Sequence, residues 1–524
     1  MGRVTVFSID GCPHCLRTKQ NLKDRNIPFL EINLSSHPDK RSDMLSLADS
    51  LTVPHIFFND RHIGGATELI ALLEEWDQGA GTGTGTGSAH DRIHKEYLSK
   101  DDPSDPRLEA STAPTIREIP PPPRNQDDHI LLPKSLTETV LEMTLRLTKA
   151  IPRYNLLHLG KTYKNSAKGK TFTDALVKEF ALDSREEAVE FGKYLQKRKI
   201  LDHVTGDHVF KDTRELYFRL QPFQSSGIIN SFRIWTDRID PDYISVVSRL
   251  SKVMQGIHNR CTDGNGDVDL QAAEQDEQYA TFEEEICELQ GIDMDDMGVH
   301  AKTAFLINVY NLLIKYAFIK YGFPESTLQR ASFFSSIHVN IGGHQFSFSD
   351  LENGILRANA LAPYAHKKQF LSGDARVKLA LEQVDNRIHF ALNCGARSCP
   401  PVKKFSVNDL EEELRIVALS FCEDNLNVRI TPERNEVRLS SIFKWYKLDF
   451  AQSTSGIPNA LVKYLRGEKK EALQIMLKEK NEIKVKFNNY DWSSNVTNKV
   501  FHGSSLKSDG FSLKTIFGQG QESK

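Results

Sequence analysis

Two cysteines near the N-terminus constrain the fold of this chain more than any other feature. Cys12 and Cys15 are separated by Pro13 and His14, and they follow residues 4–7, a β-branched and aromatic run that predicts a strand. The residues after them, 16–25, contain neither glycine nor proline and predict a helix. A Cys-x-x-Cys sequence at a strand-to-helix turn is a redox arrangement.

The expected position of Cys12 at the start of a helix predicts a reactive thiolate. Proline suits the first helical turn, so Cys12 should lie where unpaired backbone N–H groups and the positive end of the helix dipole meet. A free cysteine with a pKa near 8.5 is about 3% ionised at pH 7, so a pKa below 7 would raise that fraction roughly tenfold or more. Cys15 lies one turn further on and could resolve a mixed disulfide.

Two downstream segments add to this pattern, Thr52-Val53-Pro54-His55-Ile56-Phe57-Phe58 and Ile63-Gly64-Gly65-Ala66-Thr67. A proline between valine and a strand can be cis, which would turn the Val53 backbone toward an extended peptide ligand. The glycine pair permits a tight turn at a helix start, which suits a carboxylate. With these segments in place, residues 1–78 resemble a dithiol glutaredoxin.

The resemblance implies an α/β thioredoxin fold that uses glutathione as co-substrate and acts on glutathionylated or disulfide-containing proteins. It implies Cys12 as the catalytic nucleophile and Cys15 as the resolving thiol. It also implies a glutathione site formed by Val53, Pro54, Gly65, Ala66 and Thr67.

Three positions depart from the common glutaredoxin pattern. Ile9 and Ser50 stand where many members carry a lysine and an arginine that help to hold the glutathione carboxylate. His14 leaves two alternatives open. A protonated imidazole would stabilise the Cys12 thiolate and make the disulfide more oxidising, whereas an exposed helix residue would have little effect.

The composition narrows the class of protein. A chain of 524 residues predicts about three domains, and 39% hydrophobic with 26% charged residues is typical of soluble proteins. The formal net charge of −3 argues against a nucleic-acid partner. Seven cysteines spread thinly along the chain fit a reducing compartment. The N-terminal sequence does not have the pattern of a signal peptide. A membrane span needs about 20 apolar residues, and we see no apolar run of that length. We therefore expect a cytoplasmic protein that can bind a membrane peripherally.

A change in composition marks the end of the first domain. Residues 79–88 read Gly-Ala-Gly-Thr-Gly-Thr-Gly-Thr-Gly-Ser, and residues 120–123 are four prolines. The first segment is typical of a flexible tether, and the second favours an extended spacer over an SH3 or WW ligand. We predict a flexible linker over residues 79–130.

Helical patterns resume after the linker. Residues 135–138 and 184–187 have capping-box sequences, and residues 200–210 predict a hairpin. Helices followed by a hairpin favour a winged helix. Residues 158–166, 169–172, 184–189 and 208–212 follow the pattern of the DEP family, so residues 131–222 resemble a DEP domain.

The DEP resemblance implies a winged-helix fold and an adaptor that docks on membranes or receptors. Lys161, Lys164, Lys168 and Lys170 could form a basic patch for acidic lipid, at about 1 kcal/mol for each charge near an anionic surface. The alternative is a solvated loop.

Residues 243–495 form the third expected domain, for which we predict a larger α+β fold. Its motifs at residues 305–311, 351–357, 388–400, 443–446 and 490–492 resemble the uncharacterised family called domain of unknown function 547. That family name implies no chemistry. Residues 496–524 are polar and predict a disordered tail.

A possible second site lies in the third domain. His389 falls on a predicted strand that leads to Cys394 and Cys399, in a loop that ends at Pro400. A cysteine–histidine hydrolase would use one thiol, with His389 or His344 as the base. The alternatives are a zinc site and a structural loop whose thiols pack as small apolar groups.

We predict no metal site. Residues 263–274 place acidic and amide side chains at calcium-loop positions, but Val268 stands where an EF-hand requires glycine.

The sequence as a whole predicts a glutathione-dependent thiol–disulfide oxidoreductase coupled to a DEP signalling and localisation module. One alternative is an intracellular signalling scaffold in which the glutaredoxin domain senses the redox state. Another alternative places a cysteine–histidine hydrolase in the C-terminal domain.

Overall fold

A computed structural model describes residues 2–9, 12–34, 40–48, 53–80, 88–99, 106–108, 129–133, 137–158, 161–224, 227–235, 243–363, 365–479 and 482–503. The chain divides into two compact units. The first contains Met1–Pro120 and Cys422–Asp424, and the second contains Pro121–Phe421 and Asn425–Lys524. Among the helices of the described residues, none has both the length and the apolar character that crossing a membrane requires.

The first unit is built on a four-stranded sheet in the order β2-β1-β3-β4, in which β1 runs parallel to β2 and antiparallel to β3. Alternate residues of β1 pack on opposite faces of the sheet, because side chains of a strand alternate. The elements are β1 (Val4–Ser8), α1 (Pro13–Asp24), β2 (Leu30–Asn33), α2 (Lys40–Ala48), β3 (His55–Phe58), β4 (Arg61–Gly64), α3 (Ala66–Ala80) and α4 (Ala89–Ile93). The predicted strand and helix around the Cys-x-x-Cys sequence are confirmed.

The first unit extends beyond residue 78, where the sequence predicted a flexible linker. Helix α3 continues to Ala80, and Ser88 caps helix α4 through a hydrogen bond from the Asp91 N–H. The side chains of Ala89 and Ile93 are fully buried in the core cluster that contains Trp76. Leu108, in a short 3₁₀ turn, is fully buried on the other face of the sheet. The linker prediction is therefore wrong for residues 88–99 and 106–108, and the four prolines lie outside the described residues.

The second unit begins with three helices and a four-stranded sheet in the order β7-β8-β10-β9. Its core contains Phe172, Phe210 and Phe218, whose rings meet edge to face or tilted. The elements are β5 (His129–Leu131), β6 (Thr137–Thr139), α5 (Val140–Ala150), β7 (Tyr154–His158), β8 (Lys161–Lys168), α6 (Gly169–Phe180), α7 (Arg185–Lys197), β9 (Leu201–His203) and β10 (Tyr217–Leu220).

Two details of this region differ from the sequence prediction. Helix α5 begins at Val140 rather than near Ser135, because Thr139 and Glu142 form the capping box and residues 137–139 pair as a strand. Strand β9 pairs with β10 rather than within residues 200–210, so a longer loop separates the two strands. The second predicted cap is confirmed, since Ser184 accepts the Glu187 N–H at the start of α7.

The remainder of the second unit surrounds helix α11, which is buried on nearly all sides, as its continuous apolar sequence predicted. The elements are α8 (Tyr243–Arg260), β11 (Val268–Asp269), α9 (Leu270–Glu274), α10 (Tyr279–Glu285), α11 (Val299–Tyr321), α12 (Thr327–Ser336), β12 (His338–Ile341), β13 (His344–Ser347), α13 (Leu410–Glu423), β14 (Val428–Thr431), β15 (Glu436–Leu439), α14 (Ser441–Trp445), α15 (Lys447–Phe450), α16 (Ile457–Leu461), α17 (Gly467–Lys478), β16 (Lys484–Phe487) and β17 (Val496–Thr497). The strands form three small sheets.

The predicted disordered tail is wrong at its beginning. Strand β17 pairs in parallel with β11, and Phe501 is fully buried. The Phe323 N–H donates to Lys499 O, and the Phe501 N–H donates to Phe323 O. Strand pairing, backbone hydrogen bonds and the buried Phe501 side chain together anchor residues 496–503 to the domain.

Candidate functional site

Cys12 is the N-cap of helix α1. Its Sγ accepts the backbone N–H of Cys15 at 3.2 Å and lies 3.7 Å from the Val53 carbonyl oxygen. Cys12 is partly exposed, whereas Cys15 is 1% exposed. An incoming disulfide can therefore reach Cys12 first.

The thiol of Cys15 is held in its protonated form. The hydrogen bond with Cys12 raises the pKa of Cys15 most, and burial raises it further. A buried, protonated thiol beside a partly exposed sulfur at a helix N-terminus has the geometry of a resolving cysteine.

Of the residues expected to bind glutathione, Val53 lies next to Cys12, and Gly65 lies close to Pro54. The Val53–Pro54 peptide bond is cis, as the sequence suggested. Gly64 adopts a φ of 122°, a conformation that favours glycine, and the position of a Cβ on Gly65 would be 3.6 Å from the Pro54 carbonyl oxygen. Ala66 is buried and Thr67 exposed in the first turn of α3. The two segments thus meet beside the cysteine.

Glu68 was not singled out in the sequence. Its Oε2 accepts the Gly65 N–H at 2.9 Å, so it occupies a donor that a ligand carboxylate would otherwise use. An acidic residue in the first turn of a helix is a recognisable cap, and this signal could have identified it.

His14 is exposed on helix α1. A different histidine pair lies on the sheet, where His55 Nδ1 and His62 Nε2 are 2.9 Å apart. Burial lowers the pKa of His62. The sequence carries no signal for this contact between His55 and His62 across a hairpin.

The second candidate site is a loop fastened at both ends. Asn393 accepts the Gly395 N–H at 2.7 Å and donates to the Pro400 carbonyl at 2.8 Å, so it ties one side of Cys394 to the far side of Cys399. The Asn393 backbone N–H in turn donates to Asn311 of α11 at 2.8 Å. This clamp holds the two cysteines against each other.

The two sulfurs of the loop lie 3.1 Å apart. Cys399 also accepts the Cys394 N–H at 3.3 Å and lies 3.1 Å from the hydroxyl of Tyr490. The hydrogen bond from the Cys394 thiol is the largest cause that lowers the pKa of Cys399 to about 7, against the opposing effect of burial. The same hydrogen bond and burial raise the pKa of Cys394 well above its usual range.

His389 lies in a 3₁₀ turn over Asn386–Phe390 and not on the predicted strand. Asp385 accepts the Arg387 N–H and starts the turn, a local cap that the apolar run obscured. His389 Nε2 is 2.8 Å from Asp449, both side chains are almost fully buried, and burial lowers the pKa of His389.

Asp449, the partner of His389, also forms an ion pair with Arg357. Arg357 donates two hydrogen bonds to Asp449, at 2.7 and 2.8 Å, and a third to Asn353 at 2.7 Å. The described contacts place His389 against Tyr446, with ring centroids 3.9 Å apart, rather than in a hydrogen bond to either thiol. His344 lies on strand β13 beside Phe346, and no described contact joins it to the thiols.

Glu352 connects Tyr446, which stacks on His389, to Tyr310 of helix α11. Its carboxylate accepts hydrogen bonds from the hydroxyls of Tyr446 and of Tyr310. Burial raises the pKa of both tyrosines well above the usual value. Glu352, Tyr310 and Tyr446 lie in separate parts of the sequence, so spacing alone could not have brought them together.

Among the described residues, one group could hold a metal ion, formed by His203, Asp207 and His208. Each offers one ligand atom, and these atoms lie within 4.8 Å of one another. The thiols of the loop have no third His, Cys, Asp or Glu ligand in the described part of the chain. In the calcium-like segment, Glu274 pairs with Lys499 at 2.6 Å.

Three family models match the chain. The Glutaredoxin model matches residues 4–63, the model for the domain found in Dishevelled, Egl-10, and Pleckstrin (DEP) matches residues 151–220, and the model for the protein of unknown function DUF547 matches residues 294–422. The suspected fusion of three domains in one chain is confirmed.

Curated relatives match the N-terminal part. A glutaredoxin of Pseudomonas aeruginosa is 36% identical over 72 residues, which cover 14% of this chain and 86% of the relative. Glutaredoxin 3 of Escherichia coli is 35% identical over 72 residues, which cover 14% of this chain and 87% of the relative. The crystal structure of glutaredoxin 1 from Francisella tularensis complexed with cacodylate is 32% identical, covers 14% of this chain and 95% of the solved chain, and has a TM-score of 0.13.

Proposed function

The chain belongs to the glutaredoxin family through its N-terminal domain, and we propose that this domain is a glutathione-dependent oxidoreductase that uses Cys12 and Cys15. The observation that carries this proposal is the position of Cys12. It caps a helix, accepts the Cys15 N–H, and is accessible beside a buried partner thiol. Each of these features favours the thiolate or its attack on an external disulfide.

The reaction begins when the Cys12 thiolate attacks a sulfur of the substrate disulfide. The substrate S–S bond breaks, one sulfur leaves as a thiolate, and Cys12 is joined to the other in a mixed disulfide. When the mixed disulfide is with glutathione, a second glutathione thiolate attacks it and releases glutathione disulfide. When it is with a protein, Cys15 loses its proton and attacks Cys12, which releases the reduced protein and forms the Cys12–Cys15 disulfide.

Glutathione would bind along Val53 and the turn at Gly65. The cis Val53–Pro54 segment lies beside the Cys12 sulfur, where a glutathione sulfur must be placed. The start of helix α3 offers the positive end of a helix dipole to a carboxylate, provided that Glu68 releases the Gly65 N–H.

The DEP domain would determine where in the cell the oxidoreductase acts. A DEP module implies docking on a membrane or a receptor, and we propose a cytoplasmic protein that binds anionic membranes peripherally through Lys164 and Lys168 on strand β8. Of the other expected basic residues, Lys170 is paired with Asp174 at 3.4 Å. The side chain of Lys161 is outside the described residues.

The oxidoreductase proposal is tested with the full chain and a glutathionylated peptide, in an assay that couples glutathione disulfide formation to NADPH oxidation. We expect Cys12→Ser to remove turnover. Cys15→Ser should still reduce the glutathionylated peptide, because a second glutathione replaces the resolving thiol, but it should fail to reduce a protein disulfide. Cys261→Ser is the matched control and should behave as the wild type.

Absence of turnover in a folded wild-type chain would contradict the proposal and favour the signalling scaffold. The hydrolase alternative requires an imidazole beside a thiol. The pairing of His389 with Asp449 gives it no support from that histidine.

A further inference from the structure

The loop that carries Cys394 and Cys399 is built to hold two sulfurs together. Asn393 fastens its base, and the backbone N–H groups of Arg397 and Ser398 donate to Ser493 and Asp491. Gly395 adopts a φ of 87°, and a Cβ there would lie 2.3 Å from the ring of Phe318 on α11. A loop packed this closely on the central helix keeps the sulfurs in one arrangement.

The sulfur–sulfur distance of 3.1 Å is about 1 Å longer than a disulfide bond, so a small rotation of the side chains would join them. Both cysteine residues are partly exposed, although burial acts on both thiols, so we expect only a small disulfide to reach them. We propose that Cys394 and Cys399 are a second redox-active dithiol, which a small disulfide such as glutathione disulfide oxidises to an intramolecular disulfide. This chemistry lies in the DUF547 domain and is separate from that of Cys12.

The surroundings assign different roles to the two thiols. Cys399 receives a backbone N–H and faces the Tyr490 hydroxyl, and with a pKa of about 7 it is roughly half ionised in neutral solution. Cys394 is held protonated. Cys399 is therefore the attacking sulfur and Cys394 the resolving one.

The N-terminal pair shows the same arrangement. There the Cys15 N–H donates to Cys12 at 3.2 Å, and here the Cys394 N–H donates to Cys399 at 3.3 Å. In both pairs the cysteine that donates its N–H has the raised pKa. The two pairs differ in sequence, since four residues separate Cys394 from Cys399.

The oxidation proceeds in two exchanges. The Cys399 thiolate attacks one sulfur of glutathione disulfide, its S–S bond breaks, and one glutathione leaves as a thiolate that takes up a proton. Cys394 then loses its proton and attacks the Cys399 sulfur, which displaces the second glutathione as a thiolate that is protonated in turn. Two protein thiols are oxidised and one glutathione disulfide is reduced to two glutathiones.

The test uses the full chain with Cys12→Ser and Cys15→Ser, so that no other reactive pair contributes and a failure of the N-terminal activity cannot affect the result. The protein is equilibrated with glutathione and glutathione disulfide at a series of ratios, alkylated and digested with trypsin. Because trypsin cleaves after Arg397, the two cysteines fall on different peptides, residues 388–397 and 398–403. We expect a disulfide-linked peptide pair under oxidising ratios that dithiothreitol separates.

Single substitutions in this background assign the roles. Cys394→Ser should trap glutathione on Cys399 as a stable mixed disulfide, whereas Cys399→Ser should leave Cys394 unmodified at pH 7. Cys261→Ser is the control and should still yield the linked pair. Absence of the linked pair even with glutathione disulfide alone would overturn the proposal, as would glutathione trapped on Cys394 rather than on Cys399.

A pH profile tests the role of Tyr490 without altering either cysteine. Tyr490→Phe removes the hydroxyl that faces Cys399, so the oxidation rate at pH 7 should fall, by about fivefold if the pKa rises by a unit, and recover above pH 9. Tyr154→Phe, on an exposed side chain of strand β7, should leave the profile unchanged. A Tyr490→Phe profile identical to the wild type would contradict this part of the proposal.

Discussion

The reactivity of a cysteine in this protein depends on both the exposure of the residue and the groups that face its sulfur. Cys12 and Cys399 each accept an N–H from the cysteine with which they are paired, and both residues are partly exposed. Cys287 also accepts a backbone N–H, from Arg233 at 3.4 Å, but it is fully buried, and burial raises its pKa to about 12. A directed N–H therefore does not offset complete burial of a thiol.

Asp449 is the residue on which the network around His389 depends. Removing its carboxylate by Asp449→Ala would leave the guanidinium of Arg357, which is 4% exposed, without its ionic partner. We expect the free energy of unfolding of the C-terminal domain to fall by about 3–5 kcal/mol, measured by urea denaturation.

The control for Asp449 is Glu412→Ala, which breaks an ion pair with Arg415 that is more than half exposed. It should change the free energy of unfolding by less than about 1 kcal/mol, because solvent screens exposed pairs. Equal effects of the two substitutions would show that burial of the Arg357–Asp449 pair does not matter.

The contact between helices α8 and α11 buries a titratable histidine, His258. His258 on α8 is buried, its Nε2 has no hydrogen-bond partner among the described residues, and Lys315 on α11 adds a like charge nearby. Burial is the largest cause that lowers the pKa of His258 from 6.5 to about 3. The neutral form of His258 is therefore part of the folded state.

The packing of α8 on α11 should consequently weaken in acid. Between pH 6.5 and about 3 the unfolded chain binds a proton at this position and the folded chain does not, so stability is lost as the pH falls through this window. The contribution is about 1.4 kcal/mol for each pH unit below 6.5. Urea denaturation at pH 6 and pH 5 should show that His258→Leu lacks this part of the slope.

The matched control is His300→Leu on α11, since the side chain of His300 is 55% exposed. Its slope of stability against pH should equal that of the wild type between pH 6 and pH 5. If His258→Leu kept the wild-type slope as well, protonation of His258 would not be what weakens the helix contact.

At the scale of the whole molecule, the proposed role of the DEP domain is to bring the redox domain to an anionic surface. Reversing two charges on strand β8 by Lys164→Glu and Lys168→Glu should weaken binding of the full chain to phosphatidylserine vesicles. Each lysine contributes about 1 kcal/mol near such a surface, so we expect a loss of affinity of at least about 10-fold in vesicle co-sedimentation.

Lys478→Glu, on an exposed position of helix α17, is the control and should keep vesicle binding near the wild-type level. Binding by the wild type should also weaken as salt is raised, because screening reduces the attraction. If the wild type bound neutral and anionic vesicles equally strongly, the lysines would not bind the membrane by charge attraction. That result would favour docking on a receptor.

The sequence by itself determined the features that depend on neighbouring residues. The strand, the Cys-x-x-Cys turn and helix α1 follow from local patterning, and the Ser184 cap begins α7 as expected. The continuously apolar helix α11 is buried as predicted. Motif spacing also identified all three domains, because each motif lies within a short segment of the chain.

Only the tertiary structure decided the features that depend on distant contacts. Ile93 joins the first core although its segment reads as a polar linker, and Phe501 fastens a segment that reads as a disordered tail. The Cys399–Tyr490 contact joins residues 91 positions apart. Local propensity carries no information about such pairs, because which residues meet is determined by the packing of whole elements.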